Sequence, residues 1–376
     1  MAPDVRGPED LFAIAGPGWA DAFRAAPREH FIPDSAEVSP MSGGPAFWID
    51  RAADPERWRS AVYSDATILT QIDDGATTLT EEAASTGLPS SSSTAPSIVV
   101  GFLELLDPYP GDRVLEIGTG TGWTAGLLSA RLGGEAVTTV EVDEQVAKRA
   151  AANLEQAGLE PTLVVGDGAL GHPDGAPYDR VHVTCGTRQI PFAWVEQTRP
   201  GGVIAVPWVP NRASGHRLVL TVTDGRAVGR LHGDTAFMVM RAQRAGYPPP
   251  VGEPRHSSAR VDPRRMLRAD AGFTVALAGM LPGVVLTSWE RGADGASLKH
   301  PATRSYASVS WSGSDGEVSV TQIGPRDLWD ELEAAYLEWV GWGSPGAERF
   351  GVTVDRARQH VWLDSPENRV AGRAED

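Results

Sequence analysis

One glycine-rich segment and three residues further along the chain have the types and spacing to bind a nucleoside. The segment 118–122, "GTGTG", directly follows the apolar run "VLEI". Glycines lack a Cβ atom, so the main chain there can approach a ligand closely. Glu141 follows Gly122 by 19 residues, where an acid can accept hydrogen bonds from both hydroxyls of a ribose. Asp167 and Gly168 end a third apolar run, where an adenine would lie. In this order, the three segments predict a nucleoside site.

Each of these features has a simpler explanation when it is taken alone. Many glycine-rich loops only make a tight turn, and Glu141 would then be a solvated charge at a strand end. Asp143 competes with Glu141 for the ribose, but its position before a helical pattern favours a helix cap. Trp123 stands where GxGxxG requires its third glycine, which disfavours a nicotinamide dinucleotide as the ligand.

A run of hydroxyl residues, "SSSST" at 90–94, precedes Ala95 and Pro96. Such a run is typical of a flexible spacer, and residues 83–92 would also fit a disordered loop. Short hydroxyl side chains can instead orient a carboxylate without forming an ion pair that would reduce its nucleophilicity. The residues alone leave both interpretations open.

The surrounding chain must hold these residues in place, and residues 98–210 show the pattern of an α/β protein. Apolar runs predict strands, and a 3.6-residue period predicts helices between them. One helix should begin after Asp143 and end at Gly158. Strands that alternate with helices form a parallel sheet, and ligands bind beyond the carboxyl ends of its strands. The predicted strands are 112–118, 135–142, 161–167, 179–186 and 201–209, with a further helix over 121–133.

The last third of the chain has a different composition. Residues 245–265 contain five prolines and few apolar residues, as expected for a linker. Beyond them, strands at 304–311 and 317–323 flank a "SGSD" turn. An amphipathic helix follows at 327–340, and "RFGVTVD" with "QHVWLD" predicts another hairpin. We therefore predict two domains, residues 1–243 and a smaller α+β domain of residues 244–376.

Composition and charge disfavour several classes of function. The net charge of −16 argues against binding to the phosphate backbone of a nucleic acid. No apolar run is long enough for a transmembrane helix, and the acidic, proline-containing start does not fit a signal peptide. Without HExxH or a cysteine cluster, we expect no metal site. The single cysteine, Cys185, excludes an internal disulfide and fits a cytoplasmic protein.

In its motifs and their order, the chain resembles the protein-L-isoaspartate O-methyltransferase family. "APREHFIPD" at 26–34 is similar to the family's N-terminal segment, and "STAP" at 93–96 to its active-site loop. The cofactor loop and later strands are matched by "VLEIGTGTGW", "VVGDGALG", "APYDRVHVTCG" and "RPGGVIAVP". The resemblance implies an α/β fold of the class I S-adenosylmethionine-dependent methyltransferases. Its Rossmann-like sheet would be mostly parallel, with an additional smaller α+β domain at the carboxyl end.

Carried over residue by residue, the resemblance implies two groups of site residues. Thr94 stands where the family has a serine near the transferred methyl group, and Ser93 precedes it. The serine run would then be the floor of a reaction pocket rather than a spacer, although Ser91-Ser92-Ser93 differs from the family's usual lead-in. The residues implied to bind S-adenosylmethionine are Glu116, Gly118, Gly120, Gly122, Glu141, Asp167 and Gly168.

The same resemblance implies the reaction and the partner. The family methylates the carboxylate of isoaspartate, and the next peptide nitrogen can then close on the ester to give a succinimide. The tail "LWDELEAAYLEWV…RFGVTV…VWLD" resembles long actinobacterial members that act on ribosomally made, modified peptides, such as lanthipeptides or ATP-grasp-cyclised peptides. It implies methylation of an aspartate or isoaspartate in such a peptide, with residues 244–376 recognising it. General isoaspartyl repair and a non-catalytic peptide-binding module are the alternatives.

Overall fold

The computed structural model describes residues 7–212, 214–244, 246–291, 293–311 and 318–372. The chain divides into two compact units, Met1–Cys185 with Ala193–Ala205, and Gly186–Phe192 with Val206–Asp376. The last boundary between the two units falls inside a strand, after residue 205. The sequence predicted a single boundary, after residue 243. Composition marks the proline-rich connection, but it does not mark a division within a continuous strand.

The described residues form ten α-helices. They are α1 (Pro8–Ala25), α2 (Pro55–Val62), α3 (Glu81–Ala84), α4 (Pro96–Leu106), α5 (Trp123–Leu132), α6 (Glu144–Gln156), α7 (Phe192–Glu196), α8 (Pro263–Leu267), α9 (Ala271–Met280) and α10 (Leu328–Gly341).

The strands in the same residues number eighteen. They are β1 (Ser35–Pro40), β2 (Phe47–Asp50), β3 (Ala66–Ile72), β4 (Pro89–Ser93), β5 (Val114–Ile117), β6 (Val137–Glu141), β7 (Thr162–Val165), β8 (Tyr178–Val183), β9 (Thr198–Trp208), β10 (Gly215–Thr223), β11 (Arg226–Thr235), β12 (Arg255–Ser257), β13 (Val285–Arg291), β14 (Ala293–His300), β15 (Ser305–Trp311), β16 (Ser319–Ile323), β17 (Phe350–Asp355) and β18 (Gln359–Leu363).

A parallel sheet in the order β9-β8-β5-β6-β7 organises the first unit. Its five strands are the five predicted from apolar runs, and β5 is buried at all four positions. Helix α4 packs against β8, and helix α5 packs against β6. Because β5, β6 and β7 are neighbours and parallel, their carboxyl ends meet at one edge of the sheet. The glycine loop, Glu141 and Asp167 therefore lie at the same edge, as predicted.

The serine run forms a strand, which neither the spacer nor the loop interpretation predicted. Strand β4 pairs antiparallel with β3 at the edge of a second sheet, ordered β2-β1-β3-β4. Ser91 and Ser93 are buried while Ser90 and Ser92 are half-buried, the alternation of a strand with one covered face. Serine has no special preference for strands, so the pairing with β3 decides the conformation. Thr70 supports it, because its hydroxyl donates to Ser91 Oγ at 3.2 Å.

The second unit combines antiparallel sheets with helices. Strands β10, β11, β17 and β18 pair antiparallel in that order. A separate five-stranded antiparallel sheet has the order β12-β16-β15-β14-β13, and helix α10 packs against its three central strands and against α9. The predicted strands, helix and final hairpin are present as β15, β16, α10 and β17-β18. The predicted "SGSD" turn lies outside the described residues. The structure thus adds antiparallel sheets to the parallel sheet of the first unit.

The proline-rich connection is held in place rather than free. Glu333 of helix α10 is fully buried, and its carboxylate accepts hydrogen bonds from the main-chain N–H groups of Arg260 at 2.7 Å and Val261 at 3.0 Å. Arg260 Nε donates to the same carboxylate at 2.8 Å. A buried acid thus satisfies three donors of Arg260 and Val261, so this part of the expected linker is anchored to helix α10.

Candidate functional site

The glycine loop after β5 needs glycine at its first and last positions. Gly118 has φ +96° and Gly122 has φ +90°, a region that other residues rarely adopt. A Cβ atom on Gly118 would lie 2.5 Å from Thr184 Oγ1, and one on Gly122 would lie 3.3 Å from the carbonyl oxygen of Ala150. At Gly118 both the backbone conformation and the available space exclude a side chain, whereas at Gly122 the positive φ disfavours one and the neighbouring atoms would have to shift by a few tenths of an ångström.

Glu141 is hydrogen-bonded to this loop. Its Oε2 atom accepts from the backbone N–H of Gly120 at 2.9 Å, and its Oε1 atom accepts from the N–H of Asp143 at 3.1 Å. The residue is only 8% exposed, so its carboxylate is fixed at the loop. The structure thus brings together the acid and the glycines that the sequence separated by 19 residues. This arrangement suits a ligand that carries two adjacent hydroxyl groups.

Asp143 has the helix-capping role that its sequence position predicted. Its Oδ1 atom accepts from the N–H groups of Gln145 and Val146 at the start of α6. Its Oδ2 atom also accepts from Gln71 Nε2 at 3.1 Å, and Ser90 Oγ donates to Gln71 Oε1 at 2.8 Å. A chain of hydrogen bonds therefore runs from the serine strand to the residue that holds Glu141.

Glu116 lies buried in the middle of the sheet, below the loop. It is 0% exposed, and its Oε2 atom accepts from Thr139 Oγ1 at 2.6 Å, which in turn lies 2.7 Å from Thr119 Oγ1. Burial raises the pKa of Glu116 to about 8; the hydrogen bond from Thr139 opposes the rise, and the negative charge of Glu141 adds to it. The neutral form of the carboxyl group therefore predominates at pH 7.

The turn that follows β7 packs against the end of β5. A Cβ atom on Gly168 would lie 2.6 Å from Ile117 Cγ2, at the end of β5. Trp194 Nε1 donates to the carbonyl oxygen of Gly168 at 2.8 Å and fixes the turn. Asp167 is exposed, and its Oδ1 atom accepts from the N–H of Ala169 at 2.9 Å. The predicted adenine-side residues therefore lie beside the glycine loop, with the Asp167 carboxylate facing solvent.

The serine strand lies against the glycine loop. A Cβ atom on Gly120 would be 3.5 Å from the carbonyl oxygen of Ser92. Ser93 is buried, whereas Thr94 is half-buried and lies two residues before the start of helix α4. The structure therefore places the predicted hydroxyl residues next to the predicted cofactor residues, and Thr94 has the more accessible side chain of the two.

Sequence reasoning missed Arg28 as a residue of this region. Its guanidinium is 1% exposed, and its Nη2 atom donates to the carbonyl oxygen of Thr94 at 3.1 Å and lies 3.4 Å from both Ser93 Oγ and the Ser93 carbonyl oxygen. Burial lowers the pKa of Arg28 to about 9, so the group stays charged at pH 7. The one available signal was its place in "APREHFIPD", a segment similar to the family's N-terminal segment, but that similarity implies no role for Arg28.

A solved structure first shows the fold. A protein-L-isoaspartate O-methyltransferase superposes with a TM-score of 0.54, covering 95% of this chain and 100% of its own at 23% identity. At this identity the likeness shows the fold, which is that of the class I S-adenosylmethionine-dependent methyltransferases.

The family follows from the sequence match. The family model described as Protein-L-isoaspartate(D-aspartate) O-methyltransferase (PCMT) matches residues 49–244, more than half of the chain. The chain belongs to this family of S-adenosylmethionine-dependent enzymes, so the resemblance is confirmed at the level of the family.

Curated relatives carry the same description. The protein-L-isoaspartate O-methyltransferase of Methanopyrus kandleri is 38% identical over 147 residues, which are 38% of this chain and 65% of the relative. That of Pyrococcus horikoshii is 38% identical over 148 residues, 38% of this chain and 66% of the relative. That of Thermotoga maritima is 34% identical over 190 residues, 50% of this chain and 49% of the relative. The chain thus spans less than two thirds of these relatives' own length.

Two findings concern other kinds of site. No helix of the described residues is long and apolar enough to cross a membrane. Across the same part of the chain, no group of three or more His, Cys, Asp and Glu side chains could hold a metal ion.

Proposed function

We propose that this chain transfers the methyl group of S-adenosylmethionine to the carboxylate of an isoaspartate or aspartate in a protein or peptide. The observation that carries the proposal is the contact between the hydroxyl-bearing strand and the glycine loop, at Ser92 and Gly120. This close approach, between the Ser92 carbonyl oxygen and the Cβ position of Gly120, supports the proposal that the hydroxyl-bearing strand borders the cofactor loop. Membership of the isoaspartate methyltransferase family supports the same activity.

The residues of the loop fit S-adenosylmethionine. Gly118 and Gly122 leave the main chain free of side chains, because a Cβ atom at either position would meet neighbouring atoms. The Glu141 carboxylate, fixed by Gly120, would accept hydrogen bonds from the two ribose hydroxyls. Gly168 and Asp167 would border the adenine. When bound, the cofactor supplies an activated methyl group on a sulfonium ion.

The substrate side needs positioning more than acid–base catalysis. A carboxylate with an ordinary pKa of about 3.9 is ionised at pH 7, so no general base has to remove a proton. The Thr94 hydroxyl, with Ser93 behind it, would orient the carboxylate oxygen in line with the methyl group. Positioning of this kind can supply roughly 7–11 kcal/mol of a barrier. The neutral hydroxyls do this without pairing with the negative charge of the nucleophile.

The finer proposal concerns the substrate, which we infer to be an aspartate or isoaspartate in a ribosomally made, modified peptide, with the C-terminal region recognising it. The support is the resemblance of the segment "LWDELEAAYLEWV" and the hairpin after it. General repair remains the second candidate, because a solved isoaspartate methyltransferase shares the fold over 95% of this chain. A C-terminal region of this size therefore does not by itself indicate peptide tailoring. The single cysteine supports our further proposal of a cytoplasmic location.

The test uses labelled S-adenosylmethionine and three substrates of matched sequence: a linear isoaspartyl peptide, its linear aspartyl twin, and a ring-containing peptide with the same acidic residue. Methylation of any of them supports a carboxyl methyltransferase. A preference for the ring peptide supports tailoring, because a ring loses less conformational freedom on binding. A preference for the linear isoaspartyl peptide supports repair. Absence of cofactor binding in calorimetry, or tighter binding of NADH, would contradict the whole assignment.

A further inference from the structure

Arg28 joins three segments that are distant in the sequence. Its Nη1 atom donates to the carbonyl oxygens of Val62 at 3.0 Å and Ser64 at 3.1 Å, in the turn before β3. Its Nη2 atom donates to the carbonyl oxygen of Ala66 at 2.9 Å and to that of Thr94 at 3.1 Å. Nη1 therefore holds the turn, and Nη2 joins the first residue of β3 to the hydroxyl-bearing loop.

The third segment is the start of the cofactor-loop helix. The Arg28 guanidinium lies over the ring of Trp123, 4.9 Å from its centroid. Trp123 is the first residue of α5 and directly follows Gly122. Its Nε1 atom donates to the carbonyl oxygen of Ala26 at 3.1 Å, so the backbone that carries Arg28 is attached to this helix as well.

The turn held by Nη1 also supports the helix that follows Thr94. Asp65 Oδ1 accepts a hydrogen bond from the backbone N–H of Ser97 at 3.0 Å, in the first turn of α4. The loop that carries Thr94 is thus fixed from both ends, by Arg28 at its carbonyl oxygens and by Asp65 at the helix start.

We propose that Arg28 is a positioning residue for methyl transfer, which fixes the loop of Ser93 and Thr94 relative to the first turn of the cofactor-loop helix. The proposal rests on the proposed function. Alignment of nucleophile and methyl group tolerates little error, and a displacement of about 1 Å can cost on the order of 100-fold in rate. None of the hydrogen bonds of Arg28 goes to the glycine loop or to Glu141, so its substitution should leave cofactor binding nearly unchanged.

Lysine cannot replace the guanidinium at this place. Lysine carries one nitrogen with three donors, whereas arginine presents a rigid fork that serves two directions at once. In Arg28→Lys, the ammonium would have to give up either the turn at Val62 and Ser64 or the loop at Thr94. The variant keeps the positive charge, so it tests only the loss of hydrogen bonding in two directions.

The matched control is Arg180→Lys. Arg180 is also buried, at 7% exposed, and also donates to main-chain carbonyl oxygens, those of Leu106 at 2.9 Å and Asp107 at 3.1 Å. It lies towards the amino end of β8, away from the carboxyl ends of the strands. Its replacement should lower the melting temperature without changing the rate per folded enzyme.

The experiment measures kcat per cofactor-binding site, counted by calorimetric titration with S-adenosylhomocysteine, for the full chain and both variants. Arg28→Lys should lower kcat by about 10- to 100-fold, with the Kd of the cofactor changed by less than about threefold. Arg180→Lys should stay within about twofold of the parent in both quantities. Equal kcat values for the two lysine variants would overturn the proposal.

A double-mutant cycle separates positioning from general damage. If Arg28 acts through Thr94, the effect of Arg28→Lys should shrink to less than about threefold in a Thr94→Ala background, because contacting residues are not additive. If each substitution lowers kcat by the same factor in either background, so that the two factors multiply in the double variant, the proposal is overturned.

Hydrogen exchange provides a readout that needs no activity. The amides of Thr94, Ala95 and Ser97 should exchange faster in Arg28→Lys than in Arg180→Lys, and equal exchange would overturn the proposal. If the parent methylates no peptide, the proposed function fails, while this measurement still decides whether Arg28 holds the loop.

Discussion

The carboxylate of Glu141 accepts a hydrogen bond from the backbone N–H of Gly120 at 2.9 Å, so the acid and the glycine loop form one hydrogen-bonded unit. An acid held in this way loses little side-chain freedom when a ribose binds to it. The cost of ordering it has been met during folding, and its hydrogen bonds to the ligand contribute more fully to affinity.

Replacing Glu141 by alanine should weaken S-adenosylmethionine binding by about 1–3 kcal/mol, the range for loss of charge-assisted hydrogen bonds. Glu141→Gln should have an intermediate effect, because the amide keeps one acceptor and loses the charge. Titration calorimetry measures both. Glu144→Ala, an exposed acid three residues later, is the control and should bind normally. Unchanged affinity in folded Glu141→Ala would remove this residue from the site.

Thr94→Ser should remain active, whereas Thr94→Ala should lose turnover while it binds the cofactor as the parent does. The reason is that a hydroxyl which orients the carboxylate acts mainly in the transition state, and loss of such an interaction lowers kcat. Steady-state kinetics with a saturating peptide distinguishes the two variants. Equal kcat for Thr94→Ala and the parent would mean that the hydroxyl has no part in the reaction.

Gly118→Ala and Gly111→Ala form a matched pair, because their φ angles are +96° and +93°. Gly111 has open space around its Cβ position, so Gly111→Ala should cost only the backbone strain, about 1–2 kcal/mol of unfolding free energy. Gly118→Ala adds an overlap with Thr184 and should cost more, with a loss of cofactor affinity of at least about tenfold. Urea unfolding and calorimetry measure these quantities. A similar cofactor affinity in the two variants would contradict a close approach of ligand to Gly118.

The pH dependence of stability should report Glu116. Its pKa is raised to about 8 in the folded protein from an ordinary value of 4.5, so the unfolded chain loses this proton first as the pH rises. The contribution of this raised pKa to the free energy of unfolding is fully present below pH 4.5. It is lost between about pH 4.5 and 8, at no more than about 1.4 kcal/mol per pH unit. Glu116→Gln cannot ionise and should therefore gain stability relative to the parent as the pH rises. Denaturant unfolding at pH 5, 6.5 and 8 tests this, with exposed Glu104→Gln as the control. A stability difference that does not vary with pH would contradict a raised pKa.

Hydrophobic pattern was sufficient to predict the parallel sheet, and with it the place of the cofactor residues. Strand β5 is apolar at three of its four positions because both faces are covered, and Asp143 is an explicit helix-start signal. Topology then brings Glu141 and Gly168 to the glycine loop, since neighbouring parallel strands end at one edge. This part of the site depended on local sequence and on one general rule of sheet construction.

The substrate side was predicted less well, because its structure depends on partners that are remote in the chain. Strand β4 is made of serines, and its pairing with β3 carries no hydrophobic signal. Arg28 lies 65 residues before Ser93, and its partners are main-chain carbonyl oxygens, which every residue type provides. Glu333 was missed for a related reason, since a charged residue on a helix normally faces solvent, whereas this one is buried against main-chain donors.

The indole of Trp123 connects the amino-terminal helix to the foundation of the cofactor site. Its ring meets Phe23 of α1 edge to face, with centroids 5.3 Å apart, and its N–H holds the carbonyl oxygen of Ala26. Substitution of Phe23 should therefore lower the stability of the first turn of α5, which directly follows the glycine loop. A mutational scan that selects for folded protein should then mark Phe23 as sensitive, although it lies in α1. The residues that stabilise the loop thus include one from a helix that is remote in the sequence.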